Sequence, residues 1–276
     1  MAMRLSMGSV RLLKNVQMRV AVAKQSGGQI EVRSNVSDIL VTIDKSVRQR
    51  GLLKTIGRCL VEPVYQFRDW RFDSRFHVRT SGIVTVPELD ISETDRQNAE
   101  KYQPVRLHGF AEVMQNLVLR FEQFTFVDFG SGKGRALLLA SEFPFQRIVG
   151  VEISPTLFRI AAQNLQAYKS STQRCKKVEV LCQNATNYSM PPEPTVFYLY
   201  NPFREDVMKA ILANLRDSLV SHPRPVFLVL HNPALDYIVG QAQFLKLSKT
   251  NGRYSIYAGV NNEATFSLRQ RAAEVA

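Results

Sequence analysis

Phe124–Arg135, FTFVDFGSGKGR, and the following Arg147–Ser154, RIVGVEIS, decide how this chain is read. Thr125–Phe129 is a short apolar run of strand length, and it enters a turn carrying Gly130, Ser131, Gly132 and Gly134. Glycines let the backbone turn sharply and lie close to a neighbour that a Cβ would exclude. KGRALLLAS, Lys133–Ser141, then reads as a helix, and RIVGVE as a second strand ending in Glu152. A carboxylate about 20 residues after a glycine turn is placed to accept two hydrogen bonds from a ribose diol.

The dinucleotide fingerprint Gly-x-Gly-x-x-Gly/Ala does not fit. Counted from Gly130, its last position falls on Arg135. The pattern is Asp-x-Gly-x-Gly-x-Gly, with Asp128 two residues before Gly130. An acid there suits an ammonium group and opposes a pyrophosphate. S-adenosyl-L-methionine carries an α-amino group and a ribose diol but no phosphate. At these residues, over 104–260, the chain resembles the class I S-adenosylmethionine-dependent methyltransferases. The resemblance implies an α/β fold: a Rossmann-like, seven-stranded, mostly parallel sheet ending in an antiparallel hairpin. It also implies S-adenosyl-L-methionine as cofactor and S-adenosyl-L-homocysteine as product. A glycine turn that only packs helix on strand is the plainer alternative.

The remaining strands read in order as Lys177–Gln183, Thr195–Tyr200, Pro225–Leu230, Phe244–Lys249 and Arg253–Val260. Thr195–Tyr200 is nearly all apolar, as in a sheet covered on both faces. Asn251-Gly252 between the last two is a hairpin signal. Helices are expected from Ser154-Pro155 to about Tyr168, over Arg204–Val220, and briefly near Leu235–Gln241. Before the sheet, a helix over Val105–Phe121 puts Leu107, Phe110, Met114, Leu117 and Phe121 on one face. Further back, Asn35–Gln49 and Leu52–Val61 read as helices, the second stopped by Pro63. Pro87–Glu100 is acidic and reads as loop with a short turn. The expected division is 1–33 as a basic N-terminal segment, 34–103 as a helical extension, 104–264 as the catalytic domain and 265–276 as a tail.

Ligands in open α/β sheets bind off the carboxyl ends of the strands. Asp128, Glu152, Gln183-Asn184 and Asn201-Pro202 all fall there. In the family that the chain resembles, an acid after the third strand bonds the adenine amino group; here an amide stands in that place, Asn184 or Gln183 beside it. A Tyr-x-Pro before the first domain helix lies over the methionine end in related enzymes, which implies that role for Tyr102. The alternative is that Pro104 starts the helix and Tyr102 is a surface aromatic. Tyr200-Asn201-Pro202-Phe203 resembles the Asn-Pro-Pro-Phe/Tyr box of amine methyltransferases, with one proline instead of two. In that role Asn201 accepts the hydrogens of an amine and aims its lone pair, and Phe203 offers an aromatic face to the developing charge. The catalytic candidates are therefore Asn201, Pro202 and Phe203. Those for the cofactor are Tyr102, Asp128, Gly130, Ser131, Gly132, Gly134, Glu152, Asn184 and Asn201. Lys133 and Arg135 stand near the same turn, Arg135 as a support for nearby loops. His231 reads as a strand-end residue rather than a base.

No apolar run approaches the roughly 18 residues of a membrane span. Cys59, Cys175 and Cys182 show no metal spacing and suit a reducing compartment as plain buried or half-buried thiols. Net charge is +12, and residues 1–79 hold 15 Lys/Arg against 6 Asp/Glu, so three-quarters of it lies there. This is either a set of solvated helix faces or a surface for an acidic partner. Phe72–Gly82, FDSRFHVRTSG, resembles the lead-in of a group of bacterial methyltransferases and is expected to cover the cofactor or shape the substrate mouth. Arg71, Arg75 and Arg79, interleaved with Trp70, Phe72 and Phe76, offer a stacking surface for bases, or else pack onto the domain. The function expected is N-methylation of a protein side chain or another amine, in the cytoplasm. Alternatives are an RNA base as acceptor, a non-catalytic S-adenosylmethionine-binding module, and organellar targeting by the basic N-terminus, which has no acid in its first 30 residues.

Overall fold

The computed structural model describes residues 52–201, 203–231 and 233–260, with side chains from residue 63 onward. The readings made for 1–33, Asn35–Gln49 and 265–276 lie outside the described residues. Contacts divide the chain into two units, 1–58 and 59–276. The second unit is built on one seven-stranded sheet ordered β3-β2-β1-β4-β5-β7-β6. Its strands are β1 Thr125–Phe129, β2 Arg147–Glu152, β3 Val178–Cys182, β4 Thr195–Tyr200, β5 Val226–His231, β6 Leu245–Thr250 and β7 Tyr254–Gly259. The first five run parallel, while β7 is antiparallel to both β5 and β6. This is the Rossmann-like sheet that the resemblance implies. The chain leaves β1 for β2 on one side and later returns to place β4 on the other. Beside β1 the strand order reverses, which opens a crevice at the strand ends.

Hydrophobic cores fill both faces, so β1 and all but the last residue of β4 are buried. On one face Phe110, Phe126, Tyr198 and Tyr254 pack together; on the other Phe129, Phe197, Leu228 and Ile211 do so. The helices are α1 Leu52–Phe76, α2 Glu93–Asn98, α3 Leu107–Gln115, α4 Arg135–Ala140, α5 Pro155–Ala167, α6 Glu205–Ser221 and α7 Asp236–Val239. The Ser154 hydroxyl caps α5 by accepting the Leu157 N–H, with Pro155 in the first turn, as the sequence suggests.

Several expectations are corrected. Pro63 does not stop a helix; it stands inside α1. A proline forfeits one helical hydrogen bond and strains the turn before it. Here the residues beyond it have strong anchors: Asp69 and Asp73 pair with Arg135, and Phe72 and Phe76 pack against Tyr168. The helix before the sheet ends at Gln115, not Phe121. The Asn116 side chain donates to the Glu112 carbonyl and closes the last turn, and Leu117 is buried from the loop that follows. Finally, Pro87–Glu100 is more ordered than loop: a 3-10 turn at Val86–Glu88 precedes α2, whose Ser92 cap accepts the Asp95 N–H. Cys175 is buried as expected, but Cys182, at the end of β3, is exposed.

Candidate functional site

The crevice off β1 contains Asp128, Gly130, Ser131 and Gly132 from β1 and its turn, Glu152 from β2, Gln183 and Asn184 after β3, and Tyr200, Asn201 and Phe203 at β4. Its space is about 1140 Å³, part of it open to solvent. The segment before α3 supplies the facing wall, with Asp95, Asn98, Ala99, Lys101, Tyr102 and Gln103. That segment is closed on itself and fastened to the rest of the domain at several points. Val84 pairs with Tyr102 and Ala99 with Phe203 as antiparallel bridges. The Arg204 N–H donates to the Asn98 carbonyl at 2.9 Å. Asp90 accepts from the Thr156 N–H and from the hydroxyls of Ser154 and Thr156, at the start of α5.

The turn itself is spoken for by protein. The N–H groups of Gly130 and Ser131 both donate to the Val151 carbonyl, at 2.8 and 3.1 Å. The Gly132 N–H donates to Glu152 Oε2 at 2.7 Å, and the Ser154 N–H donates to Oε1 at 2.8 Å. A phosphate cradle needs such N–H groups turned toward the ligand; here three successive ones are committed to β2. Glycine at 132 and 134 is demanded by neighbours. A Cβ at Gly132 would lie 2.2 Å from the Tyr102 ring, and one at Gly134 would lie 3.2 Å from the Ala161 Cβ, with φ of +56° and +82°. The Tyr102 ring thus lies on the turn, its hydroxyl donating to the Thr80 carbonyl at 2.6 Å, with Lys133 Nζ 5.0 Å from the ring centroid.

Two carboxylates are buried in this crevice. Burial, reinforced by the Glu152 charge, pushes Asp128 well above the ordinary carboxylate range. Burial also raises Glu152, partly offset by the N–H groups of Ser154 and Gly132. No described residue hydrogen-bonds the Asp128 carboxylate, and the Ser131 hydroxyl is buried without a partner. Desolvated acids without a cation of their own fit a positively charged ligand and would repel a phosphate. S-adenosyl-L-methionine, with its ammonium and its sulfonium, meets that requirement.

Asn184 is placed at the crevice but is already engaged. Its oxygen accepts from the Thr186 N–H and hydroxyl, and its NH₂ donates to Asp95 Oδ1 at 3.0 Å. Asp95, which the sequence reading missed, is thereby brought to the crevice from α2. Its only sequence signal was the Ser92-x-x-Asp95 cap. Asn201 has φ +50°, a left-handed backbone that asparagine tolerates better than most residues, at the β4 strand end. No described residue takes its amide in a hydrogen bond. Pro202 lies outside the described residues, and Phe203 is buried in the core below the crevice as well as lining it.

Two further residues turn out to be structural. Arg135 is 1% exposed; it binds Asp69, Asp73, the hydroxyls of Thr80 and Ser81 and the Val105 carbonyl, and so ties α1 and the FDSRFHVRTSG segment to the start of α4. Asp69 is nonetheless raised, because burial outweighs the guanidinium beside it. His231, at the end of β5, shares a 2.6 Å hydrogen bond with the Tyr198 hydroxyl among Tyr198, Tyr200 and Tyr254. Burial, then Arg253, lowers it to about 4, so the ring is neutral at pH 7.

No model of a known protein family matches the chain, and no curated protein does. Solved structures similar to it include the ribosomal protein L11 methylase of Lactobacillus delbrueckii subsp. bulgaricus, 15% identical, covering 54% of this chain and 74% of that one, with a TM-score of 0.38. An RNA methyltransferase from Salinibacter ruber, crystallised with S-adenosyl-L-homocysteine, is 18% identical over 56% of this chain and 92% of that one, TM-score 0.38. The 23S rRNA methyltransferase ErmE is 13% identical over 55% of this chain and 66% of that one, TM-score 0.38.

Proposed function

We propose that this chain is an S-adenosyl-L-methionine-dependent methyltransferase whose acceptor is an amine nitrogen, on a protein side chain or another amine. The observation that carries the reading is Asp128: a buried carboxylate at a glycine turn, beside a second one, with the turn's N–H groups committed elsewhere. When bound, the cofactor supplies a methyl group activated by its sulfonium. Asp128 holds the α-amino group, and the lone pairs that Glu152 has left hold the ribose diol. Asn184 positions Asp95, and the two form the adenine end of the crevice. Tyr102 closes the opposite wall and keeps water out. Asn201 accepts an N–H of the acceptor and aligns its lone pair; Phe203 backs that strand end from the core. Positioning of this kind needs no strong base.

Calorimetry with S-adenosyl-L-homocysteine and with NADH, beside tritiated-methyl transfer on fractionated lysate, tests this. The former ligand binds and NADH does not. Asn201→Ala loses transfer by about a hundredfold or more, in line with removal of one transition-state hydrogen bond, and lowers the affinity far less. Binding of NADH alone would reject the cofactor. Transfer unchanged in Asn201→Ala would reject the catalytic assignment. Nuclease and protease treatment of the labelled fraction identifies the acceptor class, and loss of label to nuclease would replace the amine by an RNA base.

A further inference from the structure

From Tyr65 onward, α1 has two opposed faces. Tyr65, Asp69, Phe72, Asp73 and Phe76 recur at helical spacing and face the domain. Arg106 lies 3.6 Å from the Tyr65 ring centroid, the two acids hold Arg135, and the two phenylalanines pack on Tyr168. Val64, Phe67 and Trp70 form the other face, and they are 54%, 58% and 60% exposed. The rings of Phe67 and Trp70 are 5.8 Å apart. Arg68, Arg71 and Arg75 are exposed beside them. From Tyr65 to Phe76 the helix has thus sorted its charges: both acids turn inward, where Arg135 neutralises them, and three arginines remain outside along an apolar stripe.

We propose that this outer face of α1 docks on an anionic lipid surface, laying the helix along the bilayer interface. An apolar stripe with tryptophan and phenylalanine, flanked by arginines, is what such a helix requires. Among the described residues no helix is long and apolar enough to cross a membrane, so α1 lies on the surface and does not span it. Charge complementarity selects the occupant. A second copy would set the same arginines against one another. A single-stranded nucleic acid would use the two rings and the cations, yet Val64, one turn from Phe67 on the same exposed face, has no π surface for a base. A lipid interface takes all six side chains: the hydrocarbon boundary accepts Val64, Phe67 and Trp70, and the headgroups accept the arginines.

Trp70 is the only tryptophan in the chain, so its fluorescence reports on this face directly. The full-length protein is mixed with vesicles of phosphatidylcholine alone, with vesicles containing phosphatidylglycerol, and with polyuridine. With phosphatidylglycerol the protein sediments with the vesicles, Trp70 emission shifts to the blue, and brominated lipid quenches it. Phe67→Ser weakens the binding by about tenfold or more, the share expected of one buried phenyl group. The triple variant Arg68→Gln, Arg71→Gln, Arg75→Gln removes the preference for anionic lipid, and added salt does the same to the parent. Both variants alter exposed positions and retain the parent's thermal transition. Any of four results overturns the proposal: no sedimentation; sedimentation with unchanged Trp70 emission; emission already blue-shifted in buffer; or a shift with polyuridine and none with vesicles.

Discussion

Asp128 sits where a carboxylate is hard to ionise, and that difficulty has a measurable use. In the free protein, burial and the Glu152 charge raise its affinity for a proton. Held against an ammonium, the same group gives the proton up. Binding of S-adenosyl-L-homocysteine, which keeps the α-amino group, therefore releases a proton wherever the pH lies between the bound and free values. Affinity climbs as pH rises through the upper value and then levels. Calorimetry in two buffers of different ionisation enthalpy reads the protons released, and Asp128→Asn flattens the climb. The stability effect has the opposite sign. An acid whose folded pKa is raised costs stability above its unfolded value and nothing well below it. Asp128→Asn accordingly raises ligand-free stability at pH 7 by roughly 0.5–2 kcal/mol, the usual gain when a functional strain is removed. The advantage disappears in acid. A variant that bound the ligand with the parent's pH dependence would show that the ammonium is held elsewhere.

At the scale of elements, Arg135 joins α1 to the sheet domain. The sequence shows it as the residue that spoils a dinucleotide fingerprint; the structure shows it buried and divided among two acids, two hydroxyls and a carbonyl. Removing one partner of a buried ion pair leaves the other uncompensated. Arg135→Gln should cost about 3–5 kcal/mol in urea unfolding and speed tryptic cleavage after Arg71 and Arg75. An unchanged midpoint would mean that α1 is held by Tyr65, Phe72 and Phe76 without it. This element also shows where reading stops. β1 and β4 were legible to the residue, because a run buried on both faces is mostly apolar and has sharp ends. The glycine turn was legible because its positive φ at Gly130, Gly132 and Gly134 admits few residue types, and Glu152 because it ends an apolar strand at a set distance from that turn. Helix α1 was not, since Pro63 is a strong local signal and the anchors that outweigh it are Arg135 and Tyr168, about 60 and 90 residues away in sequence. Asn184 was legible as a position but not as a role, because its partners Asp95 and Thr186 come from separate turns.

For the molecule as a whole, the site has two halves of different kind. One half is the sheet's strand ends, rigid because β1 and β4 lie between two cores. The other is the segment from Val84 to Gln103, closed by its own Val84–Tyr102 bridge and α2 cap and held by the Ala99–Phe203 bridge and the Asp90 hydrogen bonds rather than by a core of its own. Of its residues from Thr85 to Lys101, only Leu89 is buried. Parts with few buried contacts open at small free-energy cost, and a ligand that touches both halves couples them. Hydrogen exchange should therefore divide along this line. With S-adenosyl-L-homocysteine bound, exchange slows across 94–103, most at the Tyr102 N–H, which donates to the Val84 carbonyl at 2.9 Å. The N–H groups of β1 and β4, already closed by neighbouring strands, change little, and β6–β7 at the far edge does not change. Asp90→Ala, which removes the acceptor at the start of α5, should speed exchange over the same segment in the free protein and weaken the ligand more than it lowers the unfolding midpoint. Equal loss of both would mean that this segment and the sheet open as one body, and that the ligand meets a crevice already fixed.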